Sequence, residues 1–237
     1  NNRVGYFIIL LFQLTVNSFI YSEETIKFQN IYDLDGDGIK ESLLLNSGEH
    51  SISWVEIVDS EVKELLWSYD LPNGGSFLDA ELLDINNDQK PEIIVIARNS
   101  LFSVNQNWLY VFIGNETLFD KNPLTADYLS LDLGTTIRPL NISKVLGEKN
   151  QFVVAFGTPI RKAMILNLLI NNKNLGIEKI KLLKAQIIEN GYGHIYASGF
   201  KNDKKTYLAI LSPENNKIKT AVFDMSSGGS LLKSDIF

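Results

Sequence analysis

From residue 25 onward the chain alternates short apolar runs with Gly, Asn, Asp and Pro. The runs have strand length and are rich in Ile, Val, Leu and aromatic residues. None carries the extended 3.6-residue period of an amphipathic helix. They predict strands at Glu41–Leu45, Ile52–Val58, Glu64–Tyr69, Glu92–Ala97, Trp108–Ile113, Phe152–Phe156, Ala163–Leu169, Ile177–Leu183, His194–Ser198, Tyr207–Leu211 and Lys219–Asp224. Asn73-Gly74, Asn171-Asn172, Asn190-Gly191 and Asn215-Asn216 supply residues that tolerate the left-handed backbone of tight turns. The expected class is all-β.

The pattern repeats. Asp33-Leu34-Asp35-Gly36-Asp37-Gly38-Ile39-Lys40-Glu41 runs into Ser42-Leu43-Leu44-Leu45, and Asp84-Ile85-Asn86-Asn87-Asp88-Gln89-Lys90-Pro91-Glu92 runs into Ile93-Ile94-Val95-Ile96. The offset is 84 − 33 = 51 residues. A degenerate third copy, Val145 to Gln151, precedes Phe152-Val153-Val154-Ala155-Phe156, and a fourth strand starts at His194. A period near 50 with about four strands per unit is the mark of a β-propeller blade. One twisted sheet cannot bury both of its faces, whereas stacked blades bury each other's. The expected blades are 26–72, 73–130, 131–185 and 186–227. Gly228-Gly229-Ser230 repeats the cadence of Gly74-Gly75-Ser76 at an offset of 228 − 74 = 154. Residues 228–237 are therefore expected to start another blade, in a chain that is a fragment of a larger propeller.

The best-preserved repeat carries chemistry. Calcium takes six to eight hard oxygens at 2.3–2.6 Å. Asp33, Asp35 and Asp37 present carboxylates at alternating positions, and Gly38 permits the tight turn that lets them converge. The carbonyl of Ile39 and the carboxylate of Glu41 complete the candidate set. An EF-hand places its Glu at position 12 between helices, so this nine-residue loop running into a strand is a different device. It resembles the FG-GAP/VCBS repeats of integrin-α-like β-propellers. That resemblance implies a calcium loop between the first strands of a blade, at Asp33, Asp35, Asp37, Ile39 and Glu41, and again at Asp84, Asn86, Asp88, Lys90 (carbonyl) and Glu92. The second loop departs from the pattern. Gln89 stands where the turn Gly is expected and Asn86 where an acid is, and both changes weaken binding. The family usually has Asp where both loops have Glu. The later units lack the acidic ladder and are expected to hold no metal.

Composition narrows the function. The 237 residues are 45% hydrophobic and 21% charged, the balance of a globular protein. A net charge of −6 and a pI near 5.0 argue against nucleic acid or an anionic membrane and suit a cation. With no cysteine, disulfides, zinc–thiolate sites and Cys nucleophiles are excluded. No nucleophile, base and acid form a recognisable catalytic set, and no phosphate-binding glycine motif is present, so no enzymatic activity is expected. His50 and His194 read as structural or surface residues. Trp54, Trp67 and Trp108 read as core residues, with a glycan-stacking surface as the alternative. Asn115-Glu116-Thr117 and Asn141-Ile142-Ser143 fit the N-glycosylation pattern.

Arg3 precedes an apolar stretch from Val4 to Val16, followed by Asn17, Ser18 and Ser22. Residues 1–22 therefore read as a secretory signal, the alternatives being an uncleaved membrane-proximal anchor or a buried strand. The combined expectation is a secreted, periplasmic or cell-surface propeller that uses calcium and binds a protein or glycan. A scaffold domain of a larger envelope or surface protein is the second reading. A polysaccharide-active enzyme, with its catalytic residues at the propeller mouth, is the third.

Overall fold

The computed structural model describes residues 25–46, 50–72, 74–84, 88–101, 104–115, 118–123, 125–128, 138–148, 151–157, 160–170, 177–190, 195–214 and 217–237. The signal-like segment 1–22 and His194 lie outside them. The chain divides into two compact units, Asn1–Asp70 and Leu71–Phe237.

The first unit contains one antiparallel meander in the order β1-β2-β3-β4. Its strands are β1 (Thr25–Tyr32), β2 (Glu41–Leu45), β3 (Ser51–Val58) and β4 (Glu61–Asp70). Every residue of β2 is buried, so its Ser-Leu-Leu-Leu run lies covered on both faces. Trp54 of β3 is fully buried opposite Leu43, and Trp67 of β4 is buried opposite Trp54. These two tryptophans therefore belong to the core, as β-strand burial of large aromatics favours.

The second unit opens with a sheet in the order β10-β7-β6-β5. It comprises β5 (Gly75–Leu83), β6 (Glu92–Leu101), β7 (Val104–Phe112) and β10 (Thr125–Tyr128). The short pair β8 (Gly114–Asn115) and β9 (Leu118–Phe119) lies between β7 and β10 in the sequence. The rest of the unit contains β11 (Arg138–Leu146), β12 (Gln151–Gly157), β13 (Ile160–Ile170), β14 (Ile177–Asn190), β15 (Tyr196–Asn202), β16 (Lys205–Glu214), β17 (Lys217–Asp224) and β18 (Ser230–Ile236). These form one eight-stranded sheet, β14-β13-β12-β11-β15-β16-β17-β18. A 3-10 turn, Met225–Ser227, precedes β18. No helix among the described residues is long and apolar enough to cross a membrane.

Two departures from the expected blades stand out. Residues from β11 to β18 were expected as two separate sheets and a stub. Instead two meanders are fused where β11 and β15 run parallel, pairing Val145 with Gly199 and Leu146 with Phe200. Glycine makes that approach possible: a Cβ at Gly199 would lie 2.8 Å from Val145 Cγ2 and 3.0 Å from Val153 Cγ2. The second departure is β18. Residues 228–237 do not start a new sheet but close the edge of β17, with Thr220 opposite Asp235 and mutual backbone bonds between Ile218 and Phe237. An edge strand's open N–H and C=O groups favour such pairing, even though it leaves Leu231, Leu232, Ile236 and Phe237 exposed.

β5 and β11 belong to different sheets and are linked by side chains. Asp79 Oδ2 accepts from the Ile142 N–H (2.8 Å) and from Asn141 Nδ2 (3.0 Å), while Glu81 Oε2 accepts from the Lys144 N–H (2.8 Å). Asn141 Oδ1 in turn accepts from the Ala197 N–H of β15 (3.1 Å), and Ser143 Oγ donates to the Ala197 carbonyl (2.9 Å). Asn141 is thus tied into the fold rather than presented as a glycan acceptor. A core of Val145, Val153, Ala155, Ile165, Leu208 and Ile210, among others, fills the space beneath. Replacing Gly199 by Ala forces a methyl into this seam. The expected loss is about 1–3 kcal/mol, read as a lower urea midpoint with an unchanged slope.

Candidate metal centre

The loop joining β1 to β2 is coiled by its own carboxylates. Asp33 Oδ1 accepts from the Gly36 N–H (2.8 Å) and its Oδ2 from the Gly38 N–H (3.1 Å). Asp35 Oδ1 accepts from Asp37 N–H (3.1 Å), and Asp37 Oδ1 from Ile39 N–H (2.7 Å). Such side-chain-to-backbone bonds are the natural alternative that Asp offers to regular structure. Gly36 (φ +81°) and Gly38 (φ +90°) occupy the left-handed region, where only glycine is free of strain.

Coiling brings three carboxylates together. One oxygen each from Asp33, Asp35 and Asp37 lies within 4.8 Å of the others, and all three residues are exposed. Two oxygens each about 2.4 Å from one ion can be no more than about 4.8 Å apart. The three aspartates therefore meet the spacing that a shared hard cation requires of each pair. The N–H of Ile39, the residue whose carbonyl was expected to join them, is held by Asp37.

Glu41 is not brought into this group. It is fully buried, and its carboxylate is taken up elsewhere. Oε1 and Oε2 accept from the Leu34 N–H (3.1 and 2.9 Å), and Oε2 also accepts from Trp54 Nε1 (3.1 Å). Burial pushes this carboxyl above its ordinary range. The bonds from Leu34 and Trp54 oppose that rise, and the charges of Asp35 and Asp33 add to it. Directly across the ladder lies Glu56, also buried, which is paired with Lys63 Nζ at 2.8 Å. That bond, together with the nearby charges of Glu56, Asp37 and Glu64, holds the Lys63 ammonium above its usual range against some desolvation.

The second loop has the same backbone logic. Asp84 Oδ2 accepts from the Gln89 N–H (3.2 Å) and Asp88 Oδ1 from the Lys90 N–H (2.8 Å), matching the bonds Asp33–Gly38 and Asp37–Ile39 51 residues earlier. Asp84 Oδ1 is buried and accepts no hydrogen bond. Asn86 lies outside the described residues. Glu92, like Glu41, is fully buried at the start of its strand. Gln89 adopts φ +72° where the first loop has Gly38. The left-handed turn is thus retained at the cost of strain.

No family model matches this chain, and no curated protein matches it. Among solved structures it is similar to the β-propeller domain of Nup133 from Vanderwaltozyma polyspora, with a TM-score of 0.52 at 10% identity over 92% of this chain. The chain has a β-propeller fold. It spans 64% of the matched domain's length. The likeness overturns the expectation of a secreted, periplasmic or cell-surface location. The matched propeller belongs to a nucleoporin, so this architecture is no mark of export.

Relief of the strain at Gln89 is measurable. Gln89→Gly is expected to raise stability by up to about 1 kcal/mol, the left-handed penalty less glycine's extra entropy in the unfolded chain. Gly38→Gln should lower it by a similar amount. Thermal unfolding of both variants checks the pair.

Proposed function

We propose that this protein is a calcium-stabilised β-propeller of the FG-GAP/VCBS kind that serves as a binding module for a protein or glycan ligand. The observation that carries the calcium reading is the clustering of one oxygen each from Asp33, Asp35 and Asp37 within 4.8 Å of one another. The ion neutralises three clustered carboxylates and staples the β1–β2 hairpin, so its binding energy becomes folding energy. Asp84, Asn86, Asp88 and the Lys90 carbonyl form the weaker second site, with less charge and a strained turn. For the ligand, the stacked pair Phe200 and Tyr207 supports the reading. Their rings lie 4.9 Å apart on a half-exposed face of β15 and β16. A flat, partly wet aromatic surface suits sugar rings and apolar side chains alike.

A second reading, a scaffold domain within a larger assembly, is favoured by the likeness to a nucleoporin propeller domain. It needs no exposed ligand site.

Two experiments test these readings. Chelation is expected to lower the melting temperature, and the double variant Asp35→Ala/Asp37→Ala to remove most of that calcium dependence. Identical melting curves with calcium and with chelator would rule out a structural ion. For the ligand, the full chain is screened on a glycan array and by affinity capture in calcium and in chelator. Binding that is weakened at least tenfold by Tyr207→Ala supports the module reading; no binding in either condition favours the scaffold.

A further inference from the structure

The family pattern makes the ninth loop residue a calcium ligand. The geometry here points elsewhere: we infer that Glu41 is not a ligand but the positioning residue that pins the calcium loop to the core. This rests on the calcium reading above and deepens it.

Three observations support the assignment. The three aspartates are exposed residues, whereas Glu41 is wholly enclosed. Its carboxylate already accepts one backbone N–H at both oxygens and an indole N–H at one of them. The backbone donor is Leu34, which lies between the first two aspartates of the cluster. Holding that N–H fixes the chain that carries Asp33 and Asp35. The indole donor is Trp54, 13 residues away, fully buried in β3. Glu41 thus connects the loop to the buried core of the sheet. Charge-assisted bonds of this type are stronger than neutral ones, and groups that orient metal ligands commonly govern affinity without touching the ion. Glu92, buried at the corresponding place after the second loop, repeats the placement.

Terbium separates a ligand from a positioning residue, because its luminescence lifetimes in light and heavy water count the waters on the ion. Losing a carboxylate ligand admits one or two waters; losing a positioning residue admits none. The full chain is compared with Glu41→Gln, Glu41→Ala and Asp37→Asn. Asp37→Asn is expected to raise the water count or abolish binding, while leaving the melting temperature in chelator near that of the parent. Glu41→Ala is expected to lower terbium affinity about ten- to a hundredfold at an unchanged water count, and to lower the melting temperature even in chelator. Glu41→Gln retains an oxygen to accept the Leu34 N–H, and should recover most of both losses. It also serves if the alanine variant fails to fold. An increased water count in Glu41→Gln, or a melting temperature for Glu41→Ala in chelator equal to the parent's, overturns the inference. A parent protein that binds no terbium or calcium refutes the calcium reading instead, and the chelator melts then decide the Leu34–Glu41–Trp54 pin alone.

Discussion

A β-sheet satisfies its own backbone, but neighbouring sheets must be joined by something else. In the second unit that role falls to polar side chains on the first strands of the meanders. Asp79 and Glu81, two residues apart on β5, accept from Ile142 and Lys144, two residues apart on β11. The alternation of a strand places both carboxylates on one side and both N–H groups opposite them. Asn141 and Ser143 pass the same connection on to Ala197 of β15. Each bond meets a backbone group, and the buried Ile142 N–H would otherwise lack this partner at a cost of about 1–3 kcal/mol. Strand order and packing follow from this frame, including the close parallel contact that only Gly199 allows.

The aspartate loop applies the same chemistry on a smaller scale. Its carboxylates accept the loop's own N–H groups and so build a cluster of negative charge. Three anions this close repel one another, a repulsion that a divalent cation would relieve. Behind them Glu41 is buried at an electrostatic cost that its two donors offset in part. The adjacent Glu56 is neutralised by Lys63 instead. Two glutamates opposite each other in one ladder thus settle their charges differently. One uses hydrogen bonds from the loop and the core, the other an ion pair with a half-exposed lysine. The second loop shows what erosion of the pattern looks like: the hydrogen bonds survive at Asp84 and Asp88 while the turn glycine has gone.

The sequence by itself determined the all-β class, most of the middle and outer strands and the position of both loops. Short apolar runs and repeated acid-glycine patterns are local properties that survive without tertiary context. The left-handed turn at Gly38 was legible for the same reason, and its retention at Gln89 followed from a 51-residue repeat. Other features depended on partners distant in sequence. β1, β5, β11 and β18 escaped the hydrophobic pattern because polar residues interrupt them, and in β5 and β11 those residues are the ones joining strand to strand across 54 to 63 positions. Fusion of two meanders turned on the space beside Gly199, which no local pattern records. The ninth residue of the calcium motif read as a ligand from its spacing alone. Only the folded chain, by setting Trp54 and the Leu34 N–H against its carboxylate, placed Glu41 in the core and outside the aspartate cluster.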